Sequence, residues 1–342
     1  MPPSSKTRLF SLLIGALLVA PAAFAGSTLN TVQERGKLLC GVNTGQTIGF
    51  SSVDSTGKWI GMDVAICRAV AAAVLGDADQ VEFTPLNAKE RFTALQSGEV
   101  DMLSRTATWT LTRDSALGLN FTGITYFDGQ GFLVSGELGV KSARELDGAA
   151  VCVLAGTTTE LNLSDYFRAH GMKYEPVVFD TLDQVVKGFE SGRCDAFTGD
   201  RSQLYGQRIK LADPKKAVIL PEIISKEPLG PVVRQGDDVW MNVVRWTLFA
   251  MVNAEELGVS SRNLEQMKDS KNPEIRRLLG LEGIKGKGLK LDDTWAYRII
   301  RQVGNYGEVF ERTLGKGSPL AIDRGLNALW NDGGLQYAPP IR

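Results

Sequence analysis

The stretch LQSGEVDMLS (residues 95–104) has a counterpart in FESGRCDAFT (residues 189–198). Both contain a Ser-Gly pair, an Asp three residues after the Gly, and then a short apolar run. Gly98 and Gly192 stand where a helix would end in the left-handed conformation. The apolar residues that follow are typical of a buried strand. The sequence therefore contains two copies of one helix-to-strand unit.

The residues ahead of each copy predict the helix that leads into it. Asn87 with Glu90, and Thr181 with Gln184, have the spacing of a capping box. Each pair precedes apolar residues at helical intervals. We therefore expect a helix before each predicted strand.

Strand patterns also begin the two halves. LLCGV (residues 38–42) and AVCVL (residues 150–154) are apolar runs followed by polar, glycine-containing loops. Alternation of strands and helices predicts two α/β units with largely parallel sheets. Residues 127–134 and 227–233 are too apolar for disordered spacers and are predicted to be extended connectors between the units.

The end of the chain has a different character. Apolar residues at helical spacing predict helices over residues 238–257, from residue 273 to about 280, over 293–306 and over 319–330. Trp295, Trp330 and Tyr337 are predicted to form the core of this helical tail.

The first 25 residues have the features of a secretory signal peptide. Lys6 and Arg8 precede an apolar run over residues 9–20, and Ala-Phe-Ala at residues 23–25 fits the small-x-small rule. We expect cleavage after Ala25 and a periplasmic protein. The alternative, a membrane anchor, is disfavoured because the run is too short to span a bilayer.

Export determines how the four cysteines are interpreted. In an oxidising compartment an even set favours disulfides, and spacing alone leaves three possible pairings. Cys40 and Cys152 fall on the first strands, Cys67 on the first helix of its unit, and Cys194 at the later strand of the second unit. This placement favours Cys40–Cys67 and Cys152–Cys194.

Composition excludes several classes of function. The 342 residues carry 38 Lys and Arg against 39 Asp and Glu, so a protein that works by gripping nucleic-acid phosphates is disfavoured. The chain has one histidine and no Cys-x-x-Cys. Neither a His-rich metal site nor a zinc ribbon is therefore expected. We also expect no cofactor.

Polar segments directly follow three of the predicted strands. Residues 104–113 and 156–160 are rich in hydroxyls, and the second segment runs into a helix whose amides would bind an anion. Arg113 adds a planar cation suited to a carboxylate. Asp200 follows the strand at Cys194 and supplies the opposite charge. Together they indicate a site for a zwitterion, such as an α-amino acid.

Four motifs resemble the periplasmic amino-acid-binding proteins of ATP-driven importers, with the closest likeness to the general L-amino-acid-binding subgroup. The motifs are MDV (62–64), ALQSGEVD (94–101), TLTR (110–113) and VLAGTTT (153–159). The resemblance implies a two-lobed α/β fold of periplasmic-binding-protein type II, joined by two hinge strands and followed by a helical C-terminal extension. Lobe 1 would comprise residues 26–133 and 232–342, with the extension from about residue 258. Lobe 2 would comprise residues 134–231.

The resemblance also implies roles for single residues. Arg113 would hold the ligand carboxylate with help from Thr108, and Thr106 would bind the ammonium through its backbone carbonyl. Thr158 and Thr159 would give amide and hydroxyl contacts, and Asp200 would bind the ammonium.

Two departures from the family pattern bear on the ligand's side chain. Asn43 stands where an acidic residue is common, and no aromatic residue precedes the 91–97 helix, so Phe50 or Trp109 is expected to supply an apolar wall. A polar pocket of this kind fits glutamate, glutamine, aspartate or asparagine, or a broad range.

The expected function is capture of an L-amino acid by hinge closure and its delivery by a monomeric protein to permease subunits of an ABC importer. Two alternatives stay open at this point: an exported enzyme on the same fold, such as a cyclohexadienyl or arogenate dehydratase, and a sensing subunit for a receptor. An enzyme needs a general acid or base in the cleft. Only Asp200 is placed for that role, and it already has the ammonium to bind.

Overall fold

The structure, a computed structural model, describes residues 27–283 and 286–342. The predicted signal peptide lies outside the described residues. The chain first forms α1 (Thr28–Arg35), β1 (Leu38–Val42), β2 (Gln46–Thr47), β3 (Ser51–Val53), β4 (Trp59–Ile60), α2 (Met62–Leu75), β5 (Val81–Pro85), α3 (Arg91–Ser97), β6 (Met102–Leu103), α4 (Leu111–Ala116) and β7 (Leu119–Phe121).

A second group of elements follows without a break. It consists of β8 (Tyr126–Ser135), β9 (Ala150–Leu154), α5 (Thr158–Ala169), β10 (Glu175–Phe179), α6 (Leu182–Glu190), β11 (Ala196–Asp200), α7 (Arg201–Lys210), β12 (Ala217–Ile219) and β13 (Ser225–Leu229). The chain then returns to the first group through β14 (Val232–Arg234) and ends in α8 (Asp238–Glu256), α9 (Leu264–Met267), α10 (Pro273–Leu278), α11 (Trp295–Gln302) and α12 (Tyr306–Thr313).

Two mixed sheets form the centres of two lobes. The first has the order β5-β1-β6-β14-β7, with β1 parallel to β5 and β6. The second has the order β10-β9-β11-β8-β12, with β9 parallel to β10 and β11. Helices cover these strands, which explains why β1 and β9 are apolar along most of their length. The predicted pair of α/β units is confirmed.

The internal repeat has a structural meaning. Asp101 accepts a hydrogen bond from the N–H of Leu39 at 2.8 Å and donates its own N–H to the Leu39 carbonyl at 2.9 Å. Asp195 makes the same pair of bonds with Ala150, both at 2.8 Å. Each repeat aspartate therefore joins the start of a later strand to the first strand of its own sheet, which explains its place in the motif.

The two crossing strands pair with each other. β13 runs antiparallel to β8, from Leu229 opposite Tyr126 to Ser225 opposite Gln130. β8 also pairs with β11 over residues 130–134, so the whole strand belongs to the second sheet. From the sequence, residues 127–134 were predicted to be a connector because they contain Gly129 and Gly131, and the boundary between the lobes was expected at residue 133. In the sheet, Gly131 instead lies opposite Gly199 within the strand pairing.

Each lobe contains one disulfide. Cys40 on β1 bonds to Cys67 on α2, and Cys152 on β9 bonds to Cys194 just before β11. Both bonds lie within a lobe and leave the lobes free to move relative to each other. This is the pairing that strand and helix placement favours.

Two local predictions about helix starts have different outcomes. The capping box of Thr181 and Gln184 is formed at the start of α6. Asn87 instead accepts hydrogen bonds from the N–H groups of Lys89 and Glu90 in a turn, and α3 begins at Arg91. The bond from the Glu90 N–H is the one that the predicted box requires at Asn87, but α3 starts later, with Glu90 as its N-cap and without a side-chain cap hydrogen bond, so the predicted box is not completed.

The C-terminal extension packs on the first lobe through α8, which contacts α2, α11 and α12. The predicted helix over residues 319–330 is wrong. That segment contains only a 3-10 turn at Gly325–Asn327 and the start of another at Trp330–Asp332. Trp295 is buried as predicted, but Trp330 and Tyr337 are 50% and 67% exposed and do not form core.

The sequence reasoning missed helix α12. Its capping box is formed by Asn305 and Glu308, and the hydroxyl of its buried Tyr306 reaches the first crossing strand. The Asn-x-x-Glu spacing was a signal that could have found it.

Candidate functional site

A cleft lies between the lobes, where β6, β9 and β11 end and where α5 and α7 begin. Most of its walls are polar, and threonines predominate. The lining residues are Asn43, Arg91, Arg105, Thr106, Thr108, Leu154, Thr157, Thr158, Thr159, Thr198, Asp200 and Gln203. Of the predicted site residues, Asn43, Thr106, Thr108, Thr158, Thr159 and Asp200 are brought together here.

The loop after β6 is held by a carboxylate that the sequence reasoning did not select. Asp63, at the start of α2, accepts hydrogen bonds from the N–H of Thr106 at 3.0 Å and the hydroxyl of Ser104 at 3.1 Å. Thr106 has φ 41°, which is uncommon for a residue with a side chain. Burial raises the pKa of Asp63 to about 6, although these hydrogen bonds oppose the shift. Asp63 thus fixes the backbone of Thr106 at the cleft.

Two threonine hydroxyls from opposite lobes meet at one carboxylate. Thr108 and Thr158 lie 3.2 Å apart, and they donate hydrogen bonds of 2.6 and 2.8 Å to the same Oε2 of Glu227. Oε1 of Glu227 accepts hydrogen bonds of 2.7 Å from Asn162 and 2.7 Å from Ser225. Glu227 is fully buried. From the sequence, its segment was predicted only to be a connector between the lobes.

Arg113 stands directly behind Thr108. It lies in the first turn of α4, is 8% exposed, and donates from Nη1 to the Thr108 carbonyl at 2.9 Å. Burial lowers the pKa of Arg113, while the negative charges of Glu227 and Asp200 oppose that shift. Arg113 is not among the residues that line the cleft in this closed arrangement.

The opposite end of the cleft is acidic. Asp200 ends β11, and Asp128 on β8 accepts hydrogen bonds from the backbone of Ser202 and, at 2.8 Å, from the N–H of Gly129. Burial, then Asp128 and Glu227, raise the pKa of Asp200 well above its usual value. Burial also raises the pKa of Asp128 to about 6. A cation placed here would relieve the repulsion between these carboxylates.

Two buried arginines line the cleft and were not predicted. Arg91 and Arg105 are each 3% exposed. Arg105 donates from Nε to the Leu86 carbonyl at 2.8 Å, while the Nε of Arg91 has no partner within the part of the chain that the structure describes. Burial lowers the pKa of both, to about 10 for Arg105. Arg105 lies inside the quoted 104–113 segment, so its place after a strand was a usable signal.

The predicted apolar wall is not at the cleft. Phe50 is buried in the first lobe against Tyr126, with ring centroids 5.4 Å apart. Trp109 is 37% exposed and stacks on Phe121 at 5.5 Å. Leu154 is the apolar side chain among the lining residues. The structure therefore brings neither predicted aromatic residue to the lining of the cleft, because each ring packs on another aromatic ring instead.

Contacts at the rim hold the lobes together. Lys89 of the first lobe lies 2.5 Å from Asp180 of the second. On another part of the rim, Gln46 donates to Asp183 at 2.6 Å, and its carbonyl accepts from Gln207 at 3.2 Å. The structure therefore represents a closed arrangement of the two lobes.

Neither a metal-binding cluster nor a membrane-spanning helix is found among the described residues. No group of three or more His, Cys, Asp or Glu side chains could hold a metal ion there. Nor is any described helix long and apolar enough to cross a membrane.

Two α/β lobes joined by a pair of crossing strands, with a charged cleft between them, define a two-lobed binding protein of the periplasmic type. The chain belongs to the bacterial extracellular solute-binding proteins, family 3, whose family model matches residues 40–262.

The similarity to individual members extends beyond those residues. The chain is 57% identical over 341 residues to the general L-amino acid-binding periplasmic protein AapJ of Rhizobium johnstonii, covering 98% of this chain and 100% of that protein. It is 53% identical over 338 residues to the glutamate/glutamine/aspartate/asparagine-binding protein BztA of Rhodobacter capsulatus, covering 98% and 99%. A solved ABC transporter periplasmic binding protein from Brucella ovis, with glutathione bound, is 58% identical with a TM-score of 0.90, covering 93% and 100%.

Proposed function

We propose that this protein captures L-amino acids outside the cytoplasm and delivers them to the permease of an ABC importer. The observation that carries the proposal is the distribution of charge in the cleft. Arg113 lies behind one end and Asp200 forms the other, with threonines between them. A free amino acid has a carboxylate and an ammonium at matching positions.

The ligand's carboxylate would lie near Arg113 and the N-terminus of α5, where Thr158 and Thr159 present backbone amides. Its ammonium would face Asp200 and the carbonyl of Thr106. The raised pKa of Asp200 supports this assignment, since an ammonium favours the charged form of a carboxyl that burial disfavours.

The ligand's side chain would meet Arg91, Arg105 and Asn43. Two buried cations, one with an unpaired Nε, favour a ligand that carries a second carboxylate or an amide oxygen. The names of the relatives AapJ and BztA, which describe binders of L-amino acids in general and of glutamate, glutamine, aspartate and asparagine, support the same class.

Hinge closure would deliver the ligand. We propose that lobe 1 comprises the first sheet with the C-terminal extension, that lobe 2 comprises the second sheet, and that the paired strands β8 and β13 bend between them. The permease would recognise the closed form. Cleavage after Ala25, a periplasmic location and a monomeric state belong to the same proposal, and membership of a family of extracellular proteins supports export.

A binding role is favoured over catalysis. In the cleft described, Asp63, Asp128 and Glu227 are already engaged by hydrogen-bond donors, and Asp200 is assigned to the ammonium. A dehydratase would need a free general acid or base at the ligand. Turnover of prephenate or arogenate by the purified protein would contradict this choice.

A thermal-shift screen over the common L-amino acids tests the proposal, because a ligand that binds only the folded protein raises its melting temperature. No shift with any amino acid would contradict the function.

Calorimetric titration of Arg113→Ala and Asp200→Ala tests the site. Each change would leave one charge of the ligand buried without its partner, at a cost of about 3–5 kcal/mol, or roughly two to four decades of affinity. Asp101→Ala is the control, since Asp101 supports β1 and should affect stability instead of affinity. If Asp200→Ala bound amino acids as tightly as the wild-type protein, the assignment of Asp200 to the ligand's ammonium would be wrong.

A further inference from the structure

Glu227 occupies the pair of crossing strands, between the lobes. In the pairing of β8 with β13, Glu227 lies opposite Asp128. Its carboxylate accepts hydrogen bonds from the hydroxyl groups of Thr108 and Thr158. Thr108 follows β6 of the first sheet, whereas Thr158 begins α5 on the second. One oxygen atom is therefore shared by donors from both lobes.

Both hydroxyl groups can donate to Oε2 only while the lobes are closed. The two hydroxyl oxygens are 3.2 Å apart in this structure. Two hydroxyl oxygens within about 3 Å of one acceptor lie at most about 6 Å apart, so a separation of the lobes by more than about 3 Å at this point would leave at most one of them bonded to Oε2. Glu227 therefore accepts both threonine hydrogen bonds only in the closed form.

The same contact decides how the hydroxyls face a ligand. A threonine hydroxyl has one proton to donate, and here both protons are directed to Glu227. The lone pairs that remain can only accept hydrogen bonds. Thr108 and Thr158 would therefore not donate to the ligand's carboxylate, which is left to the backbone amides at the start of α5 and to Arg113.

We propose that Glu227 is a positioning residue for ligand capture: it links the two lobes through Thr108 and Thr158 and sets the direction of both hydroxyl groups. The inference rests on the proposed amino-acid-binding function and deepens it. Because the link is complete only after closure, Glu227 acts on the lifetime of the closed complex and not on the first encounter with the ligand.

Glu227→Gln tests this assignment while keeping the side chain's size. A neutral amide forms weaker hydrogen bonds than a carboxylate and has one acceptor oxygen in place of two. With L-glutamate and L-glutamine as probes, stopped-flow measurements should show dissociation that is about 10- to 100-fold faster, and association within about twofold of wild type. Glu222→Gln is the matched control, because Glu222 accepts from Ser142 within the second lobe.

A double-mutant cycle separates positioning from a general loss of structure. Thr108→Val removes the donor to Oε2 that comes from the first lobe. Combined with Glu227→Gln, it should accelerate dissociation little more than either change alone, since both remove the same link. If Glu227→Gln does not fold, Thr108→Val replaces it and should accelerate dissociation by the same factor of about 10 to 100, whereas Thr158→Val should have a smaller effect because Asn162 still joins Glu227 to the second lobe.

Three outcomes contradict the inference or its basis. Wild-type dissociation rates in Glu227→Gln, or independent effects in the cycle, would overturn the role of Glu227 and leave the amino-acid function intact. Failure of both probes to bind the wild-type protein would instead contradict the proposed ligand class, and the role of Glu227 with it.

Discussion

Asp200 and Asp128 illustrate how single residues in the cleft depend on what lies beside them. Asp200 faces like charges on Asp128 and Glu227 and opposite charges on Arg91 and Arg113. Burial disfavours the charged form of each of these groups, and neighbouring groups of opposite charge favour it. The ligand would complete this set of charges, which makes its binding sensitive to protons.

The first prediction is that affinity rises with pH. The pKa of Asp128 is raised to about 6 and that of Asp200 is raised well above its usual value, so part of this pair holds a proton near pH 6 in the absence of ligand. An ammonium favours the ionised carboxylate, so binding releases protons, and the affinity for L-glutamate should increase from pH 5 to pH 7. Calorimetry in buffers of different ionisation enthalpy measures the protons released.

Asp128→Asn should weaken this pH dependence. The change removes one of the like charges that raise the pKa of Asp200, so less of Asp200 is protonated at pH 5.5. Asp101→Asn is the control, because Asp101 lies at the start of β6 and contacts Leu39 and Arg35 instead of the cleft. A pH profile that Asp128→Asn leaves unchanged would argue against protonation of this pair.

At the residue scale, the sequence predicted the positions that follow strands and carry hydroxyls. Asp200, Thr108 and Thr158 were predicted to lie at the cleft because each is a polar residue in a segment that directly follows a predicted strand, and all three line it. Arg91 and Glu227 were missed, since an isolated Arg or Glu in a sequence is ordinarily on the surface. Their burial depends on packing between segments far apart in the chain, which no local pattern shows.

Among the elements, the end of the chain has a contact that the repeat does not predict. Asn327 accepts from the N–H of Phe127 at 2.7 Å and donates to the Phe127 carbonyl at 3.2 Å. The hydroxyl of Tyr306 donates to the Thr125 carbonyl at 2.8 Å. Side chains of the extension thus take the place of a neighbouring strand for the beginning of β8. This is where β8 enters the crossing between the lobes.

The second prediction is that Asn327→Leu destabilises the protein. It would leave the part-buried N–H and carbonyl of Phe127 without their present partner, at a cost of about 1–3 kcal/mol. Urea unfolding of the ligand-free protein measures the loss. Asn331→Leu provides the comparison, since Asn331 is exposed on the same segment and should change stability by less than about 0.5 kcal/mol. Equal effects of the two changes would show that the backbone contact has no special weight.

The third prediction concerns the disulfides. The Cys152–Cys194 bond closes a sequence separation of 42 and the Cys40–Cys67 bond one of 27. Replacing both cysteines of one bond by serine should cost about 2–4 kcal/mol, because the unfolded chain regains the freedom that the bond removes. Non-reducing peptide mapping checks the pairing directly. A peptide joining Cys40 to Cys152 would contradict both the pairing and free movement of the lobes.

At the element scale, local patterns were sufficient where a strand or helix is repeated or capped, as at Thr181 and Gln184. They were insufficient over residues 319–330. That segment contains apolar residues at helical spacing, yet Leu326 and Trp330 are exposed while Asn327 is buried on the backbone of β8. The tertiary contact of one polar residue overrides the helical pattern there.

Considered as a whole, the molecule has its lobes joined at three places: the crossing strands, Glu227 and the rim. The Lys89–Asp180 ion pair and the Gln46–Asp183 contact at the rim are exposed, so each should contribute little alone. They form only when the lobes are closed, and any free energy they supply shifts the balance between open and closed forms. The charges at the rim should therefore affect ligand affinity without contacting the ligand.

The fourth prediction tests that balance with Lys89→Glu. The new carboxylate would face Asp180, 2.5 Å from the present ammonium, and would also repel Glu160. Closure becomes less favourable, and affinity for L-glutamate should fall by roughly two- to fivefold at low salt. Because the charges are exposed, the loss should shrink in 0.5 M salt. Calorimetry at both ionic strengths measures the effect.

Restoring the opposite charges should restore binding. Lys89→Glu combined with Asp180→Lys recreates an ion pair across the same gap, so its affinity should return towards the wild-type value. Lys216→Glu is the matched control, since Lys216 pairs with Glu137 at 3.3 Å within the second lobe and both side chains are similarly exposed. That variant should repel its partner as strongly but leave affinity unchanged, because the repulsion is the same in the open and closed forms. If it weakens binding as much as Lys89→Glu, the effect comes from net charge and not from closure of the lobes.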